Sequence, residues 1–154
     1  MSSPLGQLRI SEADGAISEV AFTDETASIP DSTNSILNEA QHQLQRYFDG
    51  TLEKFDLPLG PTGTDFQQRV WHELQDVPFG KTATYLDIAL RLGDEKVIRA
   101  AAAANGKNPI AIIIPCHRVI GSNGDLVGYA GGLDRKKWLL KHEGSIQQLD
   151  IFET

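Results

Sequence analysis

The 154 residues contain a single cysteine, Cys116, which excludes an internal disulfide and any zinc site built on cysteine pairs. His42, His72, His117 and His142 are scattered, so no metal site is expected. No window approaches the roughly 18 apolar residues of a membrane span, and the N-terminus lacks a basic region followed by an apolar stretch. These absences predict a soluble, cytoplasmic protein with a free thiol in a reducing compartment and no membrane partner. Internal repeats, low-complexity tracts, a Walker lysine and redox-cofactor motifs are also missing, so no cofactor is expected.

Positive charge is scarce. The chain carries 14 Lys and Arg against 21 Asp and Glu, a formal net charge of -7, which taken alone argues against a nucleic-acid partner. The distribution reverses that argument. In residues 1–63 only Arg9, Arg46 and Lys54 face ten acids, whereas residues 64–154 carry eleven basic and eleven acidic side chains. Within 81–118 six basic residues outnumber three acidic ones. That segment is fit to meet phosphates, although such patches also occur on proteins that never touch DNA.

An apolar content of 40% supports a real core, and the length suits one ordinary domain or a small one leaning on a larger one. Residues 3–10 and 16–22 read as two short strands around a hairpin-like turn at 12–15. Ile36, Leu37, Ala40, Leu44, Tyr47 and Phe48 share one helical face, Asp49-Gly50 stops that helix, and a third strand is expected at 52–57. This acidic α+β unit concentrates no catalytic residues and reads as a scaffold. Leu57 to Gly63 is dense in proline and glycine, a linker that divides the chain into 1–63 and 64–154.

In the second part Thr64 caps a helix with Gln67 as capping-box partner, and Phe66, Val70, Leu74 and Val77 recur on its inner face. Thr84 caps a short helix through Leu92, and after Gly93, Asp94 caps a second from Glu95 to Asn105. Together they form a helix-turn-helix. In its second helix Val97, Ile98, Ala101 and Asn105 share one side, Lys96, Arg99, Ala102, Ala103 and Gly106 the other. One arginine among tiny side chains lets a helix press its backbone on a partner, and it equally suits a helix packed on a neighbour. Asn123-Gly124 marks a turn, Val127 to Gly132 a glycine-rich loop. Asp134 caps the last helix, in which Trp138 and Leu139 or Leu140 face inward, and Gly144 closes it. Glu143 stands where the helix dipole disfavours a carboxylate, which implies either a specific partner or a solvated surface.

The stretch from Ile110 to Ile120 holds the cysteine. Its β-branched run, bounded by Asn108-Pro109 and Gly121 to Gly124, predicts a buried core strand that ends at the thiol. Pro115 suits a first helical turn, so Cys116 and His117 are expected to open one whose amides face the sulfur and lower its pKa towards neutrality. Burial alone is compatible with an inert small hydrophobe instead.

Pro115-Cys-His-Arg-Val119 resembles the active-site motif of the alkyltransferases that remove alkyl groups from the 6-oxygen of guanine in DNA. The likeness extends over roughly 64–154, in order: Pro78-Phe-Gly-Lys81 with Tyr85, Arg99, Asn108-Pro109, the cysteine motif, Tyr129 before Gly131-Gly132, and Trp138-Leu-Leu140 with His142-Glu-Gly144. A looser echo lies in Ser3-Pro-Leu-Gly6. The resemblance implies an α+β N-terminal domain followed by a mainly α C-terminal domain with a winged helix-turn-helix-like DNA-binding element. It implies Cys116 as nucleophile, His117 as its base through a water, Glu143 as the acid that orients the histidine, Asn108 as a brace and Tyr85 as proton donor to guanine N3. Arg99 would fill the base stack, and Ala100, Ala102 and Ala103 would enter the minor groove of double-stranded DNA, with Thr84 and Lys96 also facing it. Val119, Tyr129, Ala130 and Gly131 would line the pocket for the flipped alkylguanine.

Ala130 stands where that family commonly has a serine, so one side-chain hydrogen bond to the base is missing. The implied activity is irreversible, single-turnover transfer of a small alkyl group from 6-O-alkylguanine, with 4-O-alkylthymine as a further substrate, by a monomer. Two other readings are a lesion-binding protein without transfer, against which Cys116 counts, and a transcription regulator using 82–106. The outer face of its second helix is poor in the polar side chains that read a major groove. A thiol hydrolase would need leaving-group machinery that the sequence lacks.

Overall fold

The two stretches expected as strands in residues 3–22 do form strands. The computed structural model describes residues 1–25, 34–126 and 128–145. β1 (Ser2–Ser3), β2 (Gly6–Ala13) and β3 (Ala16–Thr23) form an antiparallel sheet in that order, with Leu8, Ile17 and Val20 turned into the core. The turn is tighter than the sequence suggests. Glu12 and Ala13 still pair with Ile17 and Ala16, leaving only Asp14 and Gly15, both at positive φ (53° and 83°), the two-residue turn whose twist matches a hairpin.

Helix α1 (Ser35–Phe48) is capped by the Asn34 side chain, which accepts from the amides of Ile36 and Leu37, and it buries Ala40, Leu44, Tyr47 and Phe48. The strand expected at 52–57 does not form. There the Gln43 amide takes the backbone instead, accepting from Asp56 N at 2.9 Å and donating to Asp56 O at 3.0 Å. A single parallel bridge, Leu59 to Ile17, follows.

The chain divides into two compact units. Met1–Gly63 is joined by Pro109–Ile113, and Thr64–Asn108 by the chain from Ile114 onward. The five-residue excursion adds a bridge to the first unit: Val20 N donates to Pro109 O and Ala111 N to Val20 O. The core strand expected over this apolar run is reduced to that bridge at Ile110, after which residues 111–114 turn. Ile112 sits at φ 72°, strained for a β-branched residue. Ile110, Ile112, Ile113 and Ile114 are all buried, so the run reports burial and not conformation.

In the second unit α2 (Asp65–Leu74) has the full Thr64–Gln67 capping box. Val70, Trp71 and Leu74 face the core, while Val77 is buried just beyond the helix end. The Trp71 indole N–H donates to Ala104 O at 2.8 Å. Strand β4 (Ala83–Thr84) leads into α3 (Tyr85–Arg91), capped by Thr84 with Asp87. Asp94 caps a 3-10 turn, Glu95–Val97, before α4 (Ile98–Gly106), so the second helix of the pair starts three residues later than its cap suggests. Strand β5 (Val119–Ile120) pairs in parallel with β4, Ala83 opposite Val119. The last helix, α5 (Leu133–His142), begins after Gly132 at φ 93° with no side-chain cap, and Asp134 lies in its first turn rather than at its cap. The molecule has an N-terminal sheet-and-helix unit and a helical C-terminal unit with a two-stranded wing.

Candidate active site

The β4–β5 pairing sets the geometry of the second unit. It lays the residues just before Tyr85 beside those just after the Cys116–Arg118 turn, which lie more than thirty positions away in sequence. Cys116 opens that 3-10 turn and is buried.

The expectation of a thiol near neutrality is overturned. Burial pushes the Cys116 thiol up, and the opposing influences, a hydrogen bond with Asn108, the Lys136 charge and the cysteine's own backbone N–H, do not offset it. A three-residue turn sums few peptide dipoles. Its amides are also engaged, Cys116 N with Ile114 O and Arg118 N with Pro115 O.

His117 and Glu143 lie 26 residues apart in sequence and meet at 2.8 Å, Nε2 to Oε2, with both side chains wholly buried. Arg118 grips the same carboxylate through Nε to Oε1 at 2.8 Å and Nη2 to Oε2 at 3.0 Å, and its Nη1 donates to Val77 O at 2.7 Å. Phe79 packs under the guanidinium at 5.9 Å. A Cβ on Gly80 would stand 3.3 Å from Glu143 O. Burial alone would raise the Glu143 carboxyl, but hydrogen bonds from His117 and Arg118 hold it down at about 2. Burial lowers the imidazole of His117 despite that carboxylate. At neutral pH the pair is therefore carboxylate and neutral imidazole. With Nε2–H donated to Glu143, Nδ1 carries the lone pair, and it makes no hydrogen bond to the protein.

The remaining polar groups converge on the cysteine segment. Asn108 Nδ2 donates to Ile114 O at 2.8 Å. Lys136, buried on α5, donates to Val119 O at 2.6 Å and lies 3.5 Å from Gly128 O. Burial brings its ammonium down to about 8, against the upward pull of the Cys116 sulfur. Burial and the same sulfur push the Tyr85 phenol up, opposed by a hydrogen bond with Asn105. Tyr129 is raised well above the usual phenol range by burial, with the Cys116 sulfur next in effect.

Cys116, His117, Glu143, Asn108 and Tyr85 are thus linked through short contacts and shared fields. Val119 is buried in β5, Tyr129 is half-buried, Gly131 is partly buried with its carbonyl taken by Arg135, and Ala130 is exposed. Lys96, Arg99, Ala100 and Ala103 are exposed and Ala102 is half-buried, while Ala101 and Ala104 face inward. Thr84 is engaged as the α3 cap. Three polar groups of the cluster, Arg118, Lys136 and Asn105, were not singled out as site residues in the sequence. Asn105 had a readable signal, an amide on an otherwise apolar helix side. Lys136 had none, because it lies in a basic run that reads as solvated surface. Among the described residues no helix is long and apolar enough to cross a membrane, and no cluster of three His, Cys, Asp or Glu has metal-holding geometry.

Two family models match the chain. One, described as the DNA binding domain of 6-O-methylguanine DNA methyltransferase, covers residues 65–145, and the other, its ribonuclease-like domain, covers 1–61. The methylated-DNA–protein-cysteine methyltransferase of Methanosarcina acetivorans is 47% identical over 148 residues, 93% of this chain and 95% of that protein. The protein of that name from Mycobacterium tuberculosis is 42% identical over 156 residues, 98% and 94% of the two chains. The crystal structure of M. tuberculosis O6-methylguanine methyltransferase superposes with a TM-score of 0.83 at 41% identity, covering 99% and 96%. That of M. tuberculosis OGT in complex with DNA gives 0.85 at 43%, covering 94% and 91%.

Proposed function

The chain belongs to the 6-O-methylguanine DNA methyltransferase family, and from that premise we propose how its own residues carry the reaction. It repairs DNA by moving an alkyl group from the 6-oxygen of guanine to a cysteine, and its only cysteine is Cys116. The observation that carries the reading is the buried His117–Glu143 pair beside that cysteine, with Nδ1 of the imidazole open as a base.

In the resting site both thiol and imidazole are neutral. His117 Nδ1 draws the thiol proton, through a water, as the lesion enters, and the ionised Glu143 stabilises the imidazolium that forms. The sulfur attacks the alkyl carbon in line. An S–C bond forms, the C–O bond breaks, and its electron pair leaves on guanine, whose N3 takes a proton from Tyr85. Lys136 and Asn108 favour the sulfur anion on the way. The product is a thioether, whose C–S bond the amine, amide and phenol groups beside it among the described residues do not cleave, so each chain acts once, on 6-O-alkylguanine and on 4-O-alkylthymine.

The DNA is met from the minor groove. The exposed side of α4, Arg99 with Ala100, Ala102 and Ala103, suits close approach of backbone to groove, with Lys96 and Thr84 flanking it. Arg99 fills the gap left by the flipped base, which enters a pocket lined by Val119, Tyr129, Ala130 and Gly131. Residues 1–63 serve as scaffold for the catalytic part, 64–154, and the protein works as a cytoplasmic monomer.

Mixing the protein with a duplex oligonucleotide carrying one 6-O-methylguanine tests this by intact mass. The expected result is one methyl per chain, on the peptide containing Cys116, and none in Cys116→Ser. Retained lesion binding with unchanged mass would instead mark a binder without transfer, and more than one lesion cleared per chain would refute single turnover.

A further inference from the structure

The Glu143 carboxylate serves two partners at once. Its Oε2 accepts from His117 Nε2 at 2.8 Å and from Arg118 Nη2 at 3.0 Å, while Oε1 accepts from Arg118 Nε at 2.8 Å. A carboxylate that backed an imidazole alone would favour the imidazolium. Here the one negative charge already has a positive partner, and solvent is excluded: His117, Arg118 and Glu143 are 0%, 6% and 5% exposed. Protonating His117 at rest would set two cations against one anion in that space, and the Cys116 thiol on the same turn, neutral through burial, offers no compensation. Burial disfavours the imidazolium first, and the charges of Arg118 and of Lys136 on α5 add to it, against the pull of Glu143. The guanidinium is also held from its far side. Its Nη1 donates to Val77 O at 2.7 Å and the Phe79 ring lies 5.9 Å from its central carbon. Gly80, at φ 81°, packs so closely that a Cβ on it would stand 3.3 Å from Glu143 O. The Pro78-Phe-Gly80 stretch, to which the transfer step itself gives no role, thus belongs to the seat of this arginine.

We propose that Arg118 is a positioning residue that keeps the base empty at rest: seated by residues 77–80, it occupies the Glu143 carboxylate, so the buried His117 takes no proton from solvent. The carboxylate still fixes the ring through Nε2, which leaves Nδ1 as the open position, and the proton that Nδ1 then receives is the one from Cys116. Orientation and charge are thereby separated, Glu143 supplying the first and Arg118 cancelling the second. The inference rests on the reading of His117 as the base.

The test pairs single-turnover methyl transfer from a 6-O-methylguanine duplex, read by intact mass from pH 5.5 to pH 8.5, with NMR titration of ring-labelled histidine, in the parent, Arg118→Met and Arg118→Lys. In Arg118→Met the His117 imidazole should titrate about one unit or more higher than in the parent, the effect of losing a cation beside it. Transfer should then be about tenfold slower at pH 6, and the deficit should close towards pH 8.5 as the imidazole empties. Arg118→Lys, which keeps the charge without the fork, should hold the imidazole closer to its parent titration than Arg118→Met does. Lost packing would instead slow transfer by a similar factor at every pH. A His117 imidazole that titrates no higher in Arg118→Met, with transfer in the parent still falling as that imidazole protonates, overturns the role of Arg118 and leaves the base standing. An imidazole that moves up while the pH profile of transfer stays put removes His117 as the base and the inference with it. Should Arg118→Met not fold, Arg118→Gln, neutral but still able to donate to the carboxylate, is compared with Arg118→Lys in the same way.

Discussion

Nδ1 of His117 carries the lone pair because Glu143 takes Nε2–H, and Arg118 neutralises that carboxylate from the other side. Three residues form one electrostatic unit with no solvent to soften a loss. Replacing the carboxylate in Glu143→Gln leaves a buried guanidinium uncompensated, a change of about 3–5 kcal/mol. Transfer should become at least tenfold slower and the thermal midpoint should fall by several degrees, checked by single-turnover kinetics and melting. The pH dependence has a definite sign. The Glu143 pKa is depressed in the folded state, from 4.5 to about 2, so its stabilisation is present above about 4.5 and is lost as pH falls through that window towards 2. His117 is also depressed. The unfolded chain protonates it near 6.5 while the folded chain does not, so stability declines further below that value. Denaturant titrations from pH 7 to pH 3 should show both losses, and the lower one should vanish in Glu143→Gln.

Helix α4 illustrates what one element does at two ends. Its exposed side carries Arg99 and Ala103, and its inward side carries Ala101, Ala104 and Asn105. Small outward side chains matter only if something approaches closely. Ala103→Glu, which places both bulk and negative charge on that side, should weaken duplex binding and make its salt dependence shallower without altering the thiol's titration. Arg99→Ala should slow transfer from duplex DNA by about tenfold yet spare a single-stranded lesion, whose base needs no extrusion. Equal slowing on both substrates would deny Arg99 its role in the stack. The α3 cap is separable from these effects: Thr84→Ala removes a capping box and should cost about 1 kcal/mol in a chemical melt, whatever else Thr84 does at the DNA.

At the scale of the whole molecule the second unit is not a closed stretch of sequence. The chain leaves it after Asn108, contributes Pro109–Ile113 to the first unit through Val20, and returns at Ile114, two residues before the nucleophile. A fragment of residues 64–154 would therefore carry Ile110 and Ile112, wholly or almost wholly buried in the full chain, without their partners. It should melt at least several degrees below the intact protein and transfer more slowly, and a fragment equal to the full chain in both measurements would show that the excursion is dispensable. The charge division has the same scale. The acids that give the net charge of -7 all belong to the first 63 residues, which leaves the part bearing Arg99 electrically balanced and able to meet phosphate.

The sequence alone was enough for the family and for the local signals that act within one turn. The Thr64–Gln67 box, the Thr84 cap, the Asp49-Gly50 stop and the two sides of α4 were all legible, because capping and helical periodicity are short-range effects. It misjudged the Ile110 run, the strand at 52–57 and the Asp134 cap, where tertiary partners such as Val20 and Gln43 determine the backbone's hydrogen bonds. Only the tertiary structure decided that Glu143 faces His117, that Arg118 and Lys136 are buried beside them, and that the resting thiol is neutral. Protonation and pairing depend on desolvation and on charges brought close through space, and one-dimensional spacing carries neither.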